Sequence, residues 1–291
     1  MSAPSFSQNL RKLFDLSIDR LDIISWFLVL QFFGAASLYF GGDLQASLTG
    51  ALLIILLMLF VSHSIALILG VLQNHPKMGE LTGYITNGPE ALVMIVGLLH
   101  NKLIMAMGVP LGSNFANPIL FLIALLMSGQ LIGFFRLGAL RSLLIILATA
   151  GLAASFFQLE SGNIEHLGLW ALITLVVTVI FYRFKGDEDC EEESEGALPV
   201  YFLLPAVLFL IGSGYFLDPA VSYTAQASKL DEGIISFCVL SFITSWPEFR
   251  TAISLIKLHR LKAAVMNILI SNITNLWLAV GGVIAYLFLQ R

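Results

Sequence analysis

Glu90 and Glu248 are the residues best placed to do chemistry, because each stands in an apolar stretch and both belong to one repeated pattern. A first segment carries Thr86, Asn87, Pro89 and Glu90, then Ser113, Asn114 and Asn117. A second carries Thr244, Ser245, Pro247 and Glu248, then Ser271, Asn272 and Asn275. Glu and Ser are 23 positions apart in both, and the two copies align at an offset of 158 with no gap. Apolar pairs such as Ile85/Ile243, Leu103/Leu261 and Leu111/Leu269 match as well, but these come cheaply in an apolar chain. Matching Pro, Glu, Ser and Asn at a single offset mark an internal duplication. A carboxylate in hydrocarbon costs on the order of 3 kcal/mol, so each Glu must face a partner or a wet cavity. The preceding Pro frees a carbonyl one turn back, that of Ile85 or Ile243, and Gly88 loosens the same turn in the first copy. Carboxylate, hydroxyl, amide and carbonyl oxygens together suit hard cations such as Ca²⁺ and Na⁺. With no His or Cys beside them, zinc and copper are poor candidates.

Helical spacing brings these groups together. Thr86 and Glu90 are four apart, Asn87 and Glu90 three apart, and Ser113 and Asn117 four apart, so each set shares a face. Thr244, Ser245, Glu248, Ser271 and Asn275 repeat the arrangement. The elements that carry them are membrane spans. The chain has 291 residues, is 58% hydrophobic and 12% charged, and has a mean hydropathy of +0.89, which is more apolar surface than a soluble domain needs. Apolar stretches predict about nine transmembrane helices, at about 22–41, 47–72, 78–100, 103–129, 140–159, 165–184, 198–217, 232–257 and 262–289.

Basic residues set the expected orientation. With the N-terminus inside, Arg11, Lys12, Arg20, Lys77, Arg136, Arg141, Arg183, Lys185, Lys257, Arg260 and Lys262 are cytoplasmic, against Lys102, Lys229 and Arg291 outside. The two Pro-Glu helices are then spans three and eight. An odd separation inserts them from opposite sides, which is an inverted-topology repeat in an all-α integral membrane protein. The expected organisation is a cytoplasmic segment 1–21 and a first transmembrane half 22–184 containing repeat 78–129. An acidic cytoplasmic linker 185–197 follows, then a second half 198–291 containing repeat 232–289. Cys190 and Cys238 have neither metal-site nor disulfide spacing.

Both segments resemble the α-repeats of the cation/calcium exchanger superfamily, whose signature is Gly-Thr-Ser-x-Pro-Glu followed by Gly-Ser-Asn-x-x-Asn. Residues 85–90 read Ile-Thr-Asn-Gly-Pro-Glu and 112–117 read Gly-Ser-Asn-Phe-Ala-Asn. Residues 243–248 read Ile-Thr-Ser-Trp-Pro-Glu and 270–275 read Ile-Ser-Asn-Ile-Thr-Asn. The resemblance implies a cation site near the midplane lined by Glu90, Thr86, Asn87, Ser113 and Asn117, with Glu248, Thr244, Ser245, Ser271 and Asn275. It also implies antiport of Ca²⁺ against Na⁺ or, in other branches, H⁺. The chain departs from the signature at Ile85, Ile243 and Ile270, where Gly is usual, and at Asn87, where Ser is usual. Asn117 and Asn275 are both amides, whereas some sodium-coupled members carry an acid at one of these positions. Family members commonly have ten core helices; here the sequence stops after the second repeat, while an extra helix precedes the first.

The plainer reading of the two glutamates is a pair of structural acids, but duplication at mirrored depth speaks against it. For the Ser and Asn residues the plain reading is bonding across helix interfaces. Arg250 is expected on a different face from Glu248, with its stem snorkelling. His63 reads as a hydrogen-bonded structural histidine, and the acidic run 187–195, which lacks EF-hand spacing, as a solvated linker. No phosphate loop or catalytic triad is present, so an enzyme is not expected. A multi-pass protein of a cell membrane follows, with a bacterial inner membrane as the expected setting. The bilayer and the transported ions are its partners, and no resident cofactor or nucleic acid is expected. The short C-terminal half invites a second copy or a helix-supplying partner. Two alternatives stand beside Na⁺/Ca²⁺ antiport: H⁺/Ca²⁺ antiport on the same fold, and a non-transporting ion-binding protein derived from an exchanger.

Overall fold

The computed structural model describes residues 20–99, 103–159, 164–186, 198–230, 242 and 245–289. These form α1 (Arg20–Phe40), α2 (Leu44–Leu72), α3 (Met78–Ile85), α4 (Gly88–Leu99), α5 (Leu103–Met127), α6 (Leu131–Arg136), α7 (Leu140–Phe156) and α8 (Ile164–Arg183). A short 3₁₀ turn at Val200–Phe202 precedes α9 (Leu203–Ala227), α10 (Trp246–Lys257) and α11 (Leu261–Leu289). Among the described residues, five helical stretches are long and apolar enough to cross a membrane: Leu44–Leu72, Ala106–Met127, Ile164–Arg183, Val200–Ala227 and Leu261–Phe288. Trp26–Phe40 and Leu140–Phe156 are shorter apolar helices. Large apolar side chains such as Leu38, Leu99, Leu204 and Phe209 point outward while carboxylates and amides lie inside. That distribution suits a chain whose solvent is lipid.

The stretch expected as one span over 78–100 is two helices with a turn at Thr86–Asn87 between them. The first helix closes with the Thr86 amide donating to the Thr82 carbonyl at 2.9 Å, and the second opens with the Ala91 amide donating to the Asn87 carbonyl at 3.1 Å. Pro89 explains the break. It has no N–H to donate to the Ile85 carbonyl and so cannot continue the ladder.

Packing groups the chain into two compact units, each drawn from two separate stretches of the sequence. The first combines Met1–Gln73 with Ser194–Ile235. In it α2 lies closely against α9, because Gly50 has no side chain to collide with the Thr224 hydroxyl. Asp43 caps α2, its carboxylate accepting from the Ala46 amide at 3.0 Å, and its own amide donates to the Ala227 carbonyl at 2.8 Å. The described buried polar groups of this unit are hydroxyls, among them Ser47, Thr224 and Ser228. His63 belongs here, with Nδ1 2.9 Å from the Leu59 carbonyl oxygen.

The second unit, Asn74–Glu193 with Ser236–Arg291, is organised around α11. Met94, Met107, Leu111, Trp170, Leu276 and Val280 form part of its apolar core. At the other end α3 meets α11 backbone to backbone. A Cβ at Gly79 would overlap the Ala263 carbonyl, and one at Gly83 would lie 2.7 Å from the Asn267 carbonyl oxygen. Ile270, which stands where the exchanger signature has Gly, packs its side chain directly on Gly83. The bulk gained on α11 is thus matched by a vacancy in side-chain volume on α3.

Candidate cation-binding site

Both glutamates lie in the first turn of a helix, Glu90 in α4 and Glu248 in α10, and both are fully buried. Pro89 and Pro247 occupy the early helical positions that proline tolerates best, so the Pro-Glu pair starts a helix instead of kinking one. A helix N-terminus carries partial positive charge, which favours a carboxylate there.

Serines from the following helices approach them. Ser113 Oγ is 3.5 Å from Glu90 Oε1, and Ser271 Oγ is 3.3 Å from Glu248 Oε1. Further bonds tie copy to copy. Asn87 Nδ2 donates to the carbonyls of Gly83 at 3.0 Å and Ser271 at 3.1 Å, while its Oδ1 accepts from Ser271 Oγ at 2.9 Å. Asn117 Nδ2 donates to Ser271 Oγ at 3.2 Å and to Asn272 Oδ1 at 2.9 Å. Asn114 Nδ2 donates to the Asn272 carbonyl at 3.2 Å. The longer amide at position 87, where the signature has Ser, is therefore a bridge from the turn of the first copy to the serine of the second.

After these bonds a set of buried oxygens is left over. Thr86 Oγ1, Glu90 Oε2, Asn117 Oδ1, Ser245 Oγ, Glu248 Oε2 and Asn275 Oδ1 have no hydrogen-bond partner among the described residues. Thr86 approaches Glu248 from the opposite copy without meeting hydrogen-bond geometry. Buried polar atoms normally find partners, and a group of unpartnered acceptors calls for an explanation. These six oxygens are of the donor type that Na⁺ and Ca²⁺ take, and the Asn275 nitrogen is unpartnered as well. Among the described residues no group of three or more His, Cys, Asp or Glu gathers, so a bound cation would complete its shell from hydroxyls, amides and carbonyls.

Of the ten residues singled out in the sequence, nine are described and buried in the second unit; Thr244 lies outside the described residues, as does the acidic run 187–195. Asn87, Ser113 and Ser271 act through bonds within the cluster, whereas the other six present free oxygens. Arg250 is enclosed by protein at 3% exposure, not laid out along an open helix face. The sequence reading missed Asn267, whose Nδ2 donates to Thr82 Oγ1 at 3.2 Å and so ties α11 to α3. A signal existed, since Asn267, Ser271 and Asn275 recur every four residues on one helical face. It also missed Thr149 of α7, a buried threonine in an apolar helix, bonded to Asn272. Glu80, near the start of α3, accepts from the Tyr182 hydroxyl at 2.6 Å and pairs with Lys185, which anchors α3 to the end of α8.

Fold and site thus define an all-helical membrane protein with paired buried carboxylates contributed by two copies of one motif. The model of the family described as sodium/calcium exchanger protein matches residues 198–288. Inner membrane protein YrbG of Escherichia coli (strain K12) is 26% identical over 210 residues, covering 67% of this chain. The alignment spans 64% of the YrbG length, just under two thirds. Among solved structures, the sodium-calcium exchanger NCX_Mj, soaked with 10 mM Na⁺ and zero Ca²⁺, superposes with a TM-score of 0.51 at 18% identity. That match covers 82% of each chain, a likeness of fold. The likeness to the exchanger family thus rests on residues 198–288 and on a distant inner-membrane relative, and the match to the solved structure is one of fold.

Proposed function

We propose that the protein is a secondary active antiporter exchanging Ca²⁺ for Na⁺ by alternating access, not an enzyme. The observation that carries this reading is the pair of fully buried glutamates, one per copy, surrounded by unpartnered buried oxygens. Glu90 and Glu248 would balance one divalent ion. Thr86, Thr244, Ser245, Asn117 and Asn275 would add oxygens, and Asn87, Ser113 and Ser271 would hold the cage in shape. Two bare carboxylates cannot be carried through a low-dielectric interior at modest cost. The site would therefore switch exposure only when occupied, by Ca²⁺ or by the monovalent ions that replace it, and this obligation is what makes transport an exchange. The excess of basic residues on one set of loops supports a cytoplasmic N-terminus. Family and relative support a bacterial inner membrane setting.

A second reading keeps the fold and couples Ca²⁺ to H⁺. It is favoured by Asn117 and Asn275 both being amides, so that only two acids stand in the cluster. The test is reconstitution of the purified chain into sodium-loaded liposomes, followed by uptake of radiolabelled calcium from a sodium-free bath. Uptake that needs a sodium gradient supports sodium–calcium exchange. Uptake in sodium-free vesicles driven by a pH gradient supports the second reading. Saturable calcium binding without flux under either gradient would sink both and leave an ion-binding membrane protein.

A further inference from the structure

We propose that Thr149 and Asn272 are positioning residues that turn the Asn117 side chain so that its oxygen, and not its nitrogen, faces the cation. This inference rests on the cation-site reading above and goes beyond it. An amide side chain can be rotated half a turn with little change of shape, so something must decide which end faces the ion. The choice can be followed outward from a group that cannot change role. The Ile146 carbonyl can only accept, and it receives the Thr149 hydroxyl at 2.6 Å. With its hydrogen used there, Thr149 Oγ1 can only accept, and the group 3.1 Å away must be the Asn272 amide nitrogen. Asn272 then presents Oδ1 to its other neighbour, which must be the Asn117 nitrogen at 2.9 Å. Asn117 Oδ1 is left over, fully buried and unpartnered.

A second chain of bonds reaches the same atom. Asn87 donates both nitrogen hydrogens to main-chain carbonyls, so its oxygen takes the Ser271 hydroxyl, and Ser271 Oγ must accept from Asn117. Both chains start at main-chain carbonyls, and both commit the Asn117 nitrogen to protein acceptors and leave its oxygen unpartnered. The equivalent side chain in the other copy, Asn275, has neither its oxygen nor its nitrogen bonded among the described residues. Thr149 lies on α7, outside both copies of the motif, so the orienting device belongs to one copy alone.

The test compares Thr149→Val, which keeps the shape and removes the acceptor, with Thr149→Ser, which keeps the oxygen. Removing one hydrogen bond of ordinary strength predicts about a five-fold rise in KM for calcium in Thr149→Val, with the maximal rate within about two-fold of the parent. Thr149→Ser is expected to restore the parent KM. In an Asn117→Ala background Thr149→Val should add no further rise, since the residue it orients is gone. An unchanged KM, a fall in maximal rate with KM unchanged, or full additivity with Asn117→Ala would overturn the proposal. The same variants, labelled with ¹⁵N-asparagine, provide a readout independent of transport. The side-chain amide signal lost in Asn117→Ala should move in Thr149→Val and stay in place in Thr149→Ser. If the parent protein moves no calcium, the functional reading fails while this signal still decides the orienting role; a signal that does not move refutes it.

Discussion

The two copies of the motif share their chemistry but are held differently. Ser271 Oγ of the second copy donates to Asn87, accepts from Asn117 and lies 3.3 Å from Glu248 Oε1, whereas Ser113 of the first makes one long contact to Glu90 at 3.5 Å. Asn117 is oriented from two sides, and Asn275 from none. The second copy also carries Thr251, Asn267 and Thr274 where the aligned residues of the first are Val93, Val109 and Ala116. Of these, Asn267 adds a cross-link to Thr82, while the Thr251 and Thr274 hydroxyls have no partner among the described residues. An ion between them would meet unpartnered oxygens from both copies, those of Thr86, Glu90 and Asn117 on one side and of Ser245, Glu248 and Asn275 on the other.

Seven substitutions, in four groups, probe that comparison. The largest effect belongs to what the copies share: Glu90→Gln and Glu248→Gln should each abolish calcium flux, because a single remaining carboxylate cannot balance a divalent ion. Both variants should still elute as folded protein in size-exclusion chromatography, and normal exchange in either would refute the site. Next comes the first copy's dependence on close approach. Gly79→Ala forces a methyl group into the Ala263 carbonyl and should destabilise the protein by about 1–3 kcal/mol, visible as a lower midpoint of thermal unfolding. Divergence between the copies is then measured by the serines. Ser271→Ala should weaken calcium binding about ten-fold and Ser113→Ala about three-fold, as expected when one removes several bonds and the other a single long one. Equal losses would show that the bonded network does not matter for the ion. The smallest difference concerns stability alone. Asn117→Ala should cost about 1 kcal/mol, because it strands Asn272 Oδ1, while Asn275→Ala should leave the unfolding midpoint unchanged.

Much of the site was legible because its residues are costly in a membrane. Glu90 and Glu248, Pro89 and Pro247, and the paired Ser and Asn stand out against an apolar background, and their common offset needs no structural knowledge. The membrane class followed from hydropathy, and helix limits such as Leu103–Met127 and Leu261–Leu289 fall close to the stretches read from it. The break at Thr86–Asn87 was only half legible. Pro89 announced a disturbed turn, but continuous hydropathy over 78–100 concealed a helix end, because hydropathy reports burial in lipid and not hydrogen-bond continuity. Thr149 was beyond reach, since a lone threonine bonding to its own helix looks like many others until its neighbour is known. Gly83 and Ile270 were likewise invisible as a pair. Nothing in the linear order says that a glycine on one helix faces an isoleucine 187 positions later.

The contact of α3 with α11 at Gly79 and Gly83 works as a datum surface does in a machine. Side chains flex and can be repacked, but two main chains pressed together have no slack to lose. The turn at Thr86–Asn87 lies within a few residues of that contact, so its height above α11 is gauged from rigid backbone. Substitutions among the surrounding apolar side chains can accumulate without shifting the reference, whereas a single methyl group on the gauge itself displaces everything measured from it.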